Sequence, residues 1–206
     1  MRLRTKLTFV TVIIVVLSIF LSTFFIVFFA KQNTENTILV TAIKDFTAFY
    51  YKLSKSQVYF DSEQNSTSSR SFLRYIIMSI PGAEEFVLQQ GDTTISNNTG
   101  IDAIGILNSN KNSSMSLNDT EIPIRYLFCN VKGVSYFLAV TTITIAHKTY
   151  SLSLVRNITV AADSIDTLAV QCLFVGIAVV FVHLKGYLHL PKHHELSFYL
   201  HRKLYK

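Results

Sequence analysis

Two long apolar stretches, separated by a polar region, dominate the pattern of hydrophobic positions along this 206-residue chain. The first covers residues 7–30 and is rich in valine, isoleucine, leucine and phenylalanine. A helix of this length would measure about 36 Å, which exceeds the roughly 30 Å hydrocarbon core of a bilayer. The second covers residues 165–184, and its uncharged part would measure about 27 Å as a helix. We therefore predict two transmembrane helices.

Each apolar stretch has an alternative explanation. A secretory signal peptide has an apolar region of only about 7–15 residues, followed by small residues at the cleavage site. The first stretch is longer, and it carries bulky Phe24, Phe25, Phe28 and Phe29 near its end. The second stretch is also compatible with a buried helix of a soluble domain, but its length and uniform apolarity favour a membrane span.

The distribution of charge predicts how the two spans are oriented. The N-terminal segment 1–6 and the tail 185–206 are both basic, whereas residues 31–163 contain 11 basic and 11 acidic residues. The net charge of +6 therefore comes from the two ends of the chain. Because basic segments stay on the cytoplasmic side, we expect a multi-pass protein of the cell membrane with both termini cytoplasmic. Attraction to the anionic lipid leaflet explains the surplus charge, which gives no indication of nucleic-acid binding.

The polar middle region, residues 31–164, begins with the periodicity of a helix. Its large apolar residues recur at spacings of four, three, four and three, which is typical of one helix face. These residues are Leu39, Ile43, Phe46, Tyr50 and Leu53. No proline or glycine occurs between residues 1 and 61. One long helix is therefore expected to continue from the first apolar stretch, and we interpret its apolar stripe as the signalling face.

After this helix the pattern changes from helical to β-rich. The predicted elements are, in order, a polar loop at 61–69, a helix at 72–80, a strand at 85–90, a short helix at 101–107, a polar loop at 108–120, and three β-rich runs at 124–130, 135–146 and 149–158. Short polar connections join the three runs, as in antiparallel hairpins. The predicted fold class is α+β: a long N-terminal helix packed on an antiparallel sheet, flanked by two transmembrane helices.

Few groups in the sequence suggest chemistry. Three polar residues near strand ends and one tyrosine within a strand are weak candidates for ligand binding, because arginine can hold a carboxylate through paired hydrogen bonds and tyrosine can line a pocket. They are Arg125, Tyr136, His147 and Arg156. Surface charge and core packing are the simpler explanations for all four. The histidines of the tail lack the setting of a metal site, and we predict no catalytic residue, cofactor or metal.

Two stretches resemble the sensor histidine kinases of bacterial two-component systems. The segment Arg2-Leu-Arg-Thr-Lys-Leu7 before an apolar span is similar to their N-terminus, and residues 161–171 resemble their approach to the second span. The long helix with its hairpin meander is similar to their extracytoplasmic PAS-like sensor domain. The resemblance implies a sensor for an unknown extracytoplasmic ligand, acting as a homodimer. Chemoreceptors and membrane-bound diguanylate cyclases share this front half.

The segment 185–206 departs from the family pattern. In sensor histidine kinases the second span leads into a relay domain, a phospho-accepting histidine and a Gly-rich ATP-binding domain, and this sequence contains none of them. The resemblance therefore implies a truncated or frameshifted sensor kinase. Such a chain descends from a phosphotransferase without carrying the catalytic part, and it would pair with itself or with an intact kinase. A two-span structural or partner-binding membrane protein is the alternative interpretation.

Overall fold

The computed structural model describes residues 3–55, 66–111, 113–117, 122–145 and 147–203. Part of the predicted loop, residues 61–65, lies outside these ranges. The chain divides into two compact units. We call Thr34–Ala162 the sheet unit, and Met1–Asn33 with Asp163–Lys206 the paired-helix unit.

Four helices and six strands make up the described residues. The helices are α1 (Leu3–Lys55), α2 (Ser66–Ser79), α3 (Ala103–Ser109) and α4 (Thr159–Lys203), with a short 3₁₀ turn at Ala83–Glu85. The strands are β1 (Phe86–Gln90), β2 (Thr93–Asn97), β3 (Met115–Leu117), β4 (Ile124–Val131), β5 (Val134–Ile145) and β6 (Lys148–Asn157). Both α1 and α4 contribute residues to both units.

All six strands form one antiparallel sheet in the order β2-β1-β6-β5-β4-β3. The predicted combination of a long helix with an antiparallel sheet is confirmed. The polar loop predicted across 108–120 is wrong at β3, and β2 was not predicted. Both are short edge strands with few buried apolar side chains, Ile95 in β2 and none in β3, so no alternation marks them in the sequence. The helix α2 also begins at Ser66, inside the predicted loop.

One face of the sheet packs against α1 and α2 and forms the larger hydrophobic core. Within the α1 stripe, Phe46 and Leu53 are fully buried, while the other three predicted residues are partly buried and pack against the core. Two residues outside the predicted stripe, Ala42 and Phe49, are buried as well. The buried face of α1 is therefore rotated slightly from the face that the largest side chains indicated.

The opposite face of the sheet carries a smaller core under α3. It consists of Val87, Ala103, Leu107, Leu127, Leu138 and Val155. The central strand β5 is therefore covered on both faces over part of its length. Further along β5, alternate residues on the α3 side, Thr142 and Thr144, are exposed.

The paired-helix unit contains the apolar parts of α1 and α4. Within the described ranges, two helices could cross a membrane by length and composition; their candidate spans are Phe9–Lys55 and Thr159–Val182. Large side chains on both are exposed, among them Phe24 at 63% and Phe181 at 68%. Within this unit the two helices approach each other at Gly176, where an added Cβ would lie 2.7 Å from Ile19 Cγ2.

Candidate functional site

A charged cluster joins α1 to the sheet, and it is built around Arg156 of β6. Arg156 Nη2 donates to Glu85 Oε2 at 2.7 Å and to Asp45 Oδ2 at 2.9 Å. Arg156 Nε donates to the same Glu85 oxygen at 2.9 Å. Since Arg156 pairs with Phe137 across β5 and β6, its side chain lies on the α1 face of the sheet. We call these three residues the Arg156 clamp.

The electrostatics of the clamp keep its arginine charged. Burial disfavours the charged guanidinium, but the hydrogen bonds and the negative charges of Glu85 and Asp45 together outweigh it, so the pKa of Arg156 is raised above its ordinary value. The side chain of Arg156 is 21% exposed, that of Glu85 33% and that of Asp45 48%. The cluster is therefore half-buried at its centre and opens to solvent on the α1 side.

An aromatic stack adjoins the clamp, and two of its residues directly follow the two carboxylates in the chain. The rings of Phe49 and Phe86 are stacked with centroids 3.8 Å apart and planes at 8°. Phe46 stacks on the same Phe86 ring at 6.1 Å. Because Asp45 precedes Phe46 and Glu85 precedes Phe86, the stack and the clamp form one continuous contact between α1 and the sheet.

Three hydrogen bonds hold the connection between β6 and α4. The Ile158 N–H donates to the Ser135 carbonyl at 2.8 Å, which extends the β5–β6 ladder past the end of β6. The Ser135 N–H donates in turn to Thr159 Oγ1 at 3.0 Å. The Asn157 side-chain oxygen accepts from the Thr159 N–H at 2.9 Å and satisfies a helix-start donor. These contacts, which we call the α4 junction, fix the first turn of α4 to the sheet without a flexible linker.

The α3 face of the sheet carries a largely polar surface beside the smaller core. Strand register aligns one row across this face, namely Asn97, Val87, Ser153, Val140, Arg125 and Ser116. Ser153 is fully buried, and among the described residues its hydroxyl has no hydrogen-bond partner. The neighbouring row consists of Thr94, Gln89, Ser151 and Thr142, all polar and uncharged.

Arg125 lies next to the β3 edge of the first of these rows, between Val140 and Ser116, and holds the end of α3. Its guanidinium donates to the Leu107 carbonyl at 3.3 Å, to Ser114 Oγ at 3.4 Å and to Asn108 Oδ1 at 3.5 Å. These are long contacts, and a guanidinium has five N–H donors. Within the described residues Arg125 forms no salt bridge with a carboxylate.

The structure separates the four predicted ligand candidates from one another. Arg125 and Tyr136 share the α3 face, but their rows are four residues apart along β4, which corresponds to roughly 13 Å. Arg156 lies on the opposite face, where two carboxylates already engage it. His147 is exposed in the β5–β6 turn at a positive φ of 62°. A ligand-binding role for each of them stays a prediction.

Sequence reasoning identified Arg156 as a candidate but missed its two partners. Glu85 lies 71 positions and Asp45 111 positions from Arg156, and a single sequence contains no signal for such pairings. Each partner has only a weak local signal: Asp45 borders the apolar stripe next to Phe46, and Glu85 is a polar residue at the end of a predicted strand.

Other chemistry-bearing groups are sparse in the part of the chain described. No group of three or more histidine, cysteine, aspartate or glutamate residues is placed to hold a metal ion there. Both cysteines, Cys129 and Cys172, are free thiols. Burial raises the pKa of the Cys129 thiol, which makes it less reactive as a nucleophile.

No family model, no curated protein and no solved structure matches this chain. The geometry itself defines an α+β domain with two long helices. The first, α1, contains one apolar stretch, and the second, α4, follows the last strand and contains the other.

Proposed function

We propose that this chain is the membrane-bound sensor portion of a two-component signalling protein of the histidine kinase type. The sheet unit has a PAS-like fold on the outer side of the cell membrane and detects a stimulus there. The paired-helix unit spans the bilayer, and both termini are cytoplasmic. The chain acts as a dimer, and the two spanning helices carry the change in the sheet unit to the cytoplasmic side.

The observation that carries this proposal is continuity between the core of the sheet unit and both apolar helices. The helix α1 supplies Phe46 and Leu53 to the core, and the same helix contains the first apolar stretch. At the other end, β6 enters α4 through the hydrogen-bonded α4 junction. A rearrangement of the sheet against α1 therefore acts on elements that are directly joined to both apolar helices.

The exposure of the apolar helices supports a place in lipid. Many bulky side chains of both apolar stretches are exposed, with fractions that run from 38% at Val179 to 70% at Val182. Soluble monomers rarely expose contiguous apolar patches larger than a few hundred Å². Hydrocarbon surrounds such side chains without penalty, and the uninterrupted helix satisfies its own backbone hydrogen bonds there.

A stimulus changes the state of such a sensor only through differential binding. A ligand that binds one arrangement of α1 on the sheet tenfold better than another shifts the equilibrium between them tenfold, or about 1.4 kcal/mol. The α3 face offers a surface for it, since Arg125 and a row of uncharged polar side chains border the small core there.

Membrane topology tests this proposal most directly. Single cysteines replace Thr144, exposed on the sheet, or Lys185, exposed on α4, in a chain whose two native cysteines are changed to alanine. Intact cells are treated with a membrane-impermeant maleimide. We expect Thr144→Cys to be labelled at once and Lys185→Cys only after the membrane is permeabilised. Labelling of both positions in intact cells, or of neither, would refute the proposed arrangement, as would recovery of the chain in the soluble fraction.

A further inference from the structure

We propose that Arg156 is a positioning residue that fixes α1 against the α4 junction, and that release of its bond to Asp45 is the switching step. This inference rests on the proposed function, because it assigns the point at which the sheet unit changes state. It adds a named bond, with a defined direction of release, to a general sensing role.

The two halves of the clamp differ in strength. Glu85 accepts two hydrogen bonds from Arg156, through Nε and Nη2, whereas Asp45 accepts one, from Nη2 alone. Glu85 ends the 3₁₀ turn directly before β1, which pairs with β6, so the stronger half is attached to the sheet. The weaker half is the bond that crosses to α1. Arg156 is therefore retained by the sheet when that bond opens.

The exposure of Asp45 suits a bond that can be released. Its side chain is 48% exposed, more than either partner. An ion pair with so much exposure to water contributes little net stability, because solvent screens the attraction and hydrates the separated charges. Its opening is therefore compatible with an intact core. Its directional geometry nevertheless selects one position of α1 on the sheet.

Arg156 also adjoins the α4 junction in the chain. The next residue, Asn157, accepts the hydrogen bond from the Thr159 N–H at the start of α4. The facing strand supplies Ser135, which bonds to both Ile158 and Thr159. A shift of α1 relative to Arg156 is consequently a shift relative to the first turn of α4. The clamp thus connects the two elements that lead to the apolar helices.

A distance measurement within the sheet unit tests this role. Spin labels are attached to cysteines that replace Val40 on α1 and Val160 in the first turn of α4, which are 68% and 82% exposed. The full-length chain, with both native cysteines replaced by alanine, is reconstituted into phosphatidylcholine vesicles. Pulsed electron paramagnetic resonance then gives the distribution of distances between the labels.

The decisive variant is Asp45→Asn, and its matched control is Glu84→Gln. Glu84 neighbours Glu85 in the same 3₁₀ turn, is exposed, and has no part in the clamp. We expect Asp45→Asn to displace or broaden the distance distribution by about 1–2 Å, the size of helix shifts in switching proteins. Glu84→Gln should leave it unchanged. The exchange variant Asp45→Arg with Arg156→Asp keeps one guanidinium and two carboxylates in the cluster, with an ion pair again joining α1 to β6, and should restore the original distribution.

Three results would overturn the inference. The first is an unchanged distribution in Asp45→Asn, and the second is an equal change in Glu84→Gln. The third is unfolding of the sheet unit by Asp45→Asn, since the bond would then be a structural contact rather than a releasable one. A purely structural role would lower the melting temperature without moving the distances in the folded protein.

The maleimide labelling described above, repeated on Asp45→Asn, separates this inference from the proposed function. Correct topology without a distance change eliminates the switching role of the clamp alone. A distance change in a chain with the wrong topology eliminates the proposed membrane sensor.

Discussion

Truncation of Phe46 to alanine is the sharpest test of how α1 is attached to the sheet. The Phe46 side chain is fully buried, and its ring stacks on Phe86. Alanine at this position removes the ring from the larger core and leaves a cavity between helix and sheet. The helical backbone itself should be unaffected, because alanine has the highest helix propensity.

The expected loss of stability follows from that burial. Transfer of a fully buried phenylalanine side chain out of water is worth about 1.5–3 kcal/mol. The unfilled cavity adds to the loss, so truncations of this kind cost about 3–5 kcal/mol. A domain with a typical stability of about 5–15 kcal/mol would lose at least about a fifth of it, and at the low end of that range most of it.

Urea unfolding at a fixed detergent concentration measures this loss. The chain has 10 tyrosines and no tryptophan, and Tyr150 in the larger core is only 4% exposed. Tyrosine fluorescence therefore reports the unfolding of the sheet unit. The matched control is Val40→Ala, on the same helix but 68% exposed. It should change the free energy of unfolding by no more than about 0.5 kcal/mol.

A difference of less than about 1 kcal/mol between Phe46→Ala and Val40→Ala would refute the reasoning, because core truncations cost several times that amount. Such a result would show that the Phe46 ring does not attach α1 to the sheet, and that no stabilising apolar contact lies beside the clamp.

Three further predictions concern other parts of the chain. In the paired-helix unit, Gly176→Leu should separate the two helices, because even a Cβ there would meet the opposing isoleucine at 2.7 Å. Val16 and Val180 line the same groove as Gly176, so disulfide formation between cysteines at these two positions, in a chain without the native cysteines, should slow, and an unchanged rate would contradict this. Asp102 caps α3 by accepting from the Gly105 N–H at 3.0 Å, so Asp102→Ala should destabilise α3 by about 0.5–2 kcal/mol and speed its amide hydrogen exchange; unchanged exchange would argue against the cap. Because burial raises the pKa of Cys129, iodoacetamide at pH 8.5 should alkylate it more slowly than in urea-unfolded chain, with the folded-state rate climbing as the pH passes the ordinary thiol value of 9.0. Equal rates in the two states would show that the thiol is not protected.

Local signals in the sequence predicted most of the helices and the central strands. The uninterrupted apolar and polar pattern predicted α1, and the hairpin connections predicted the β4–β5–β6 meander. Edge strands escaped detection. Three residues suffice for β3, and β2 contains one large apolar residue, Ile95. Such strands depend on a neighbour for their hydrogen bonds rather than on their own alternation.

The candidate site was harder to predict than the fold. Arg125 and Arg156 looked equivalent in the sequence, since both are arginines in β-rich runs. The structure places them on opposite faces, because alternate residues of a strand point to opposite sides and the register decides which side meets α1. As a result, Arg156 binds the carboxylates of Asp45 and Glu85, whereas Arg125 donates to the end of α3.

The amino-acid sequence by itself determined the two apolar stretches, the neutral region between basic ends and the long helix with its buried stripe. These properties depend on composition and on a period of a few residues, and both can be read from a sequence whose tertiary structure is unknown. Tertiary structure alone decided that Asp45, Glu85 and Arg156 meet, and that the α4 junction is fixed to β5. Those contacts join residues far apart in the chain, and strand pairing and helix packing bring them within hydrogen-bonding distance.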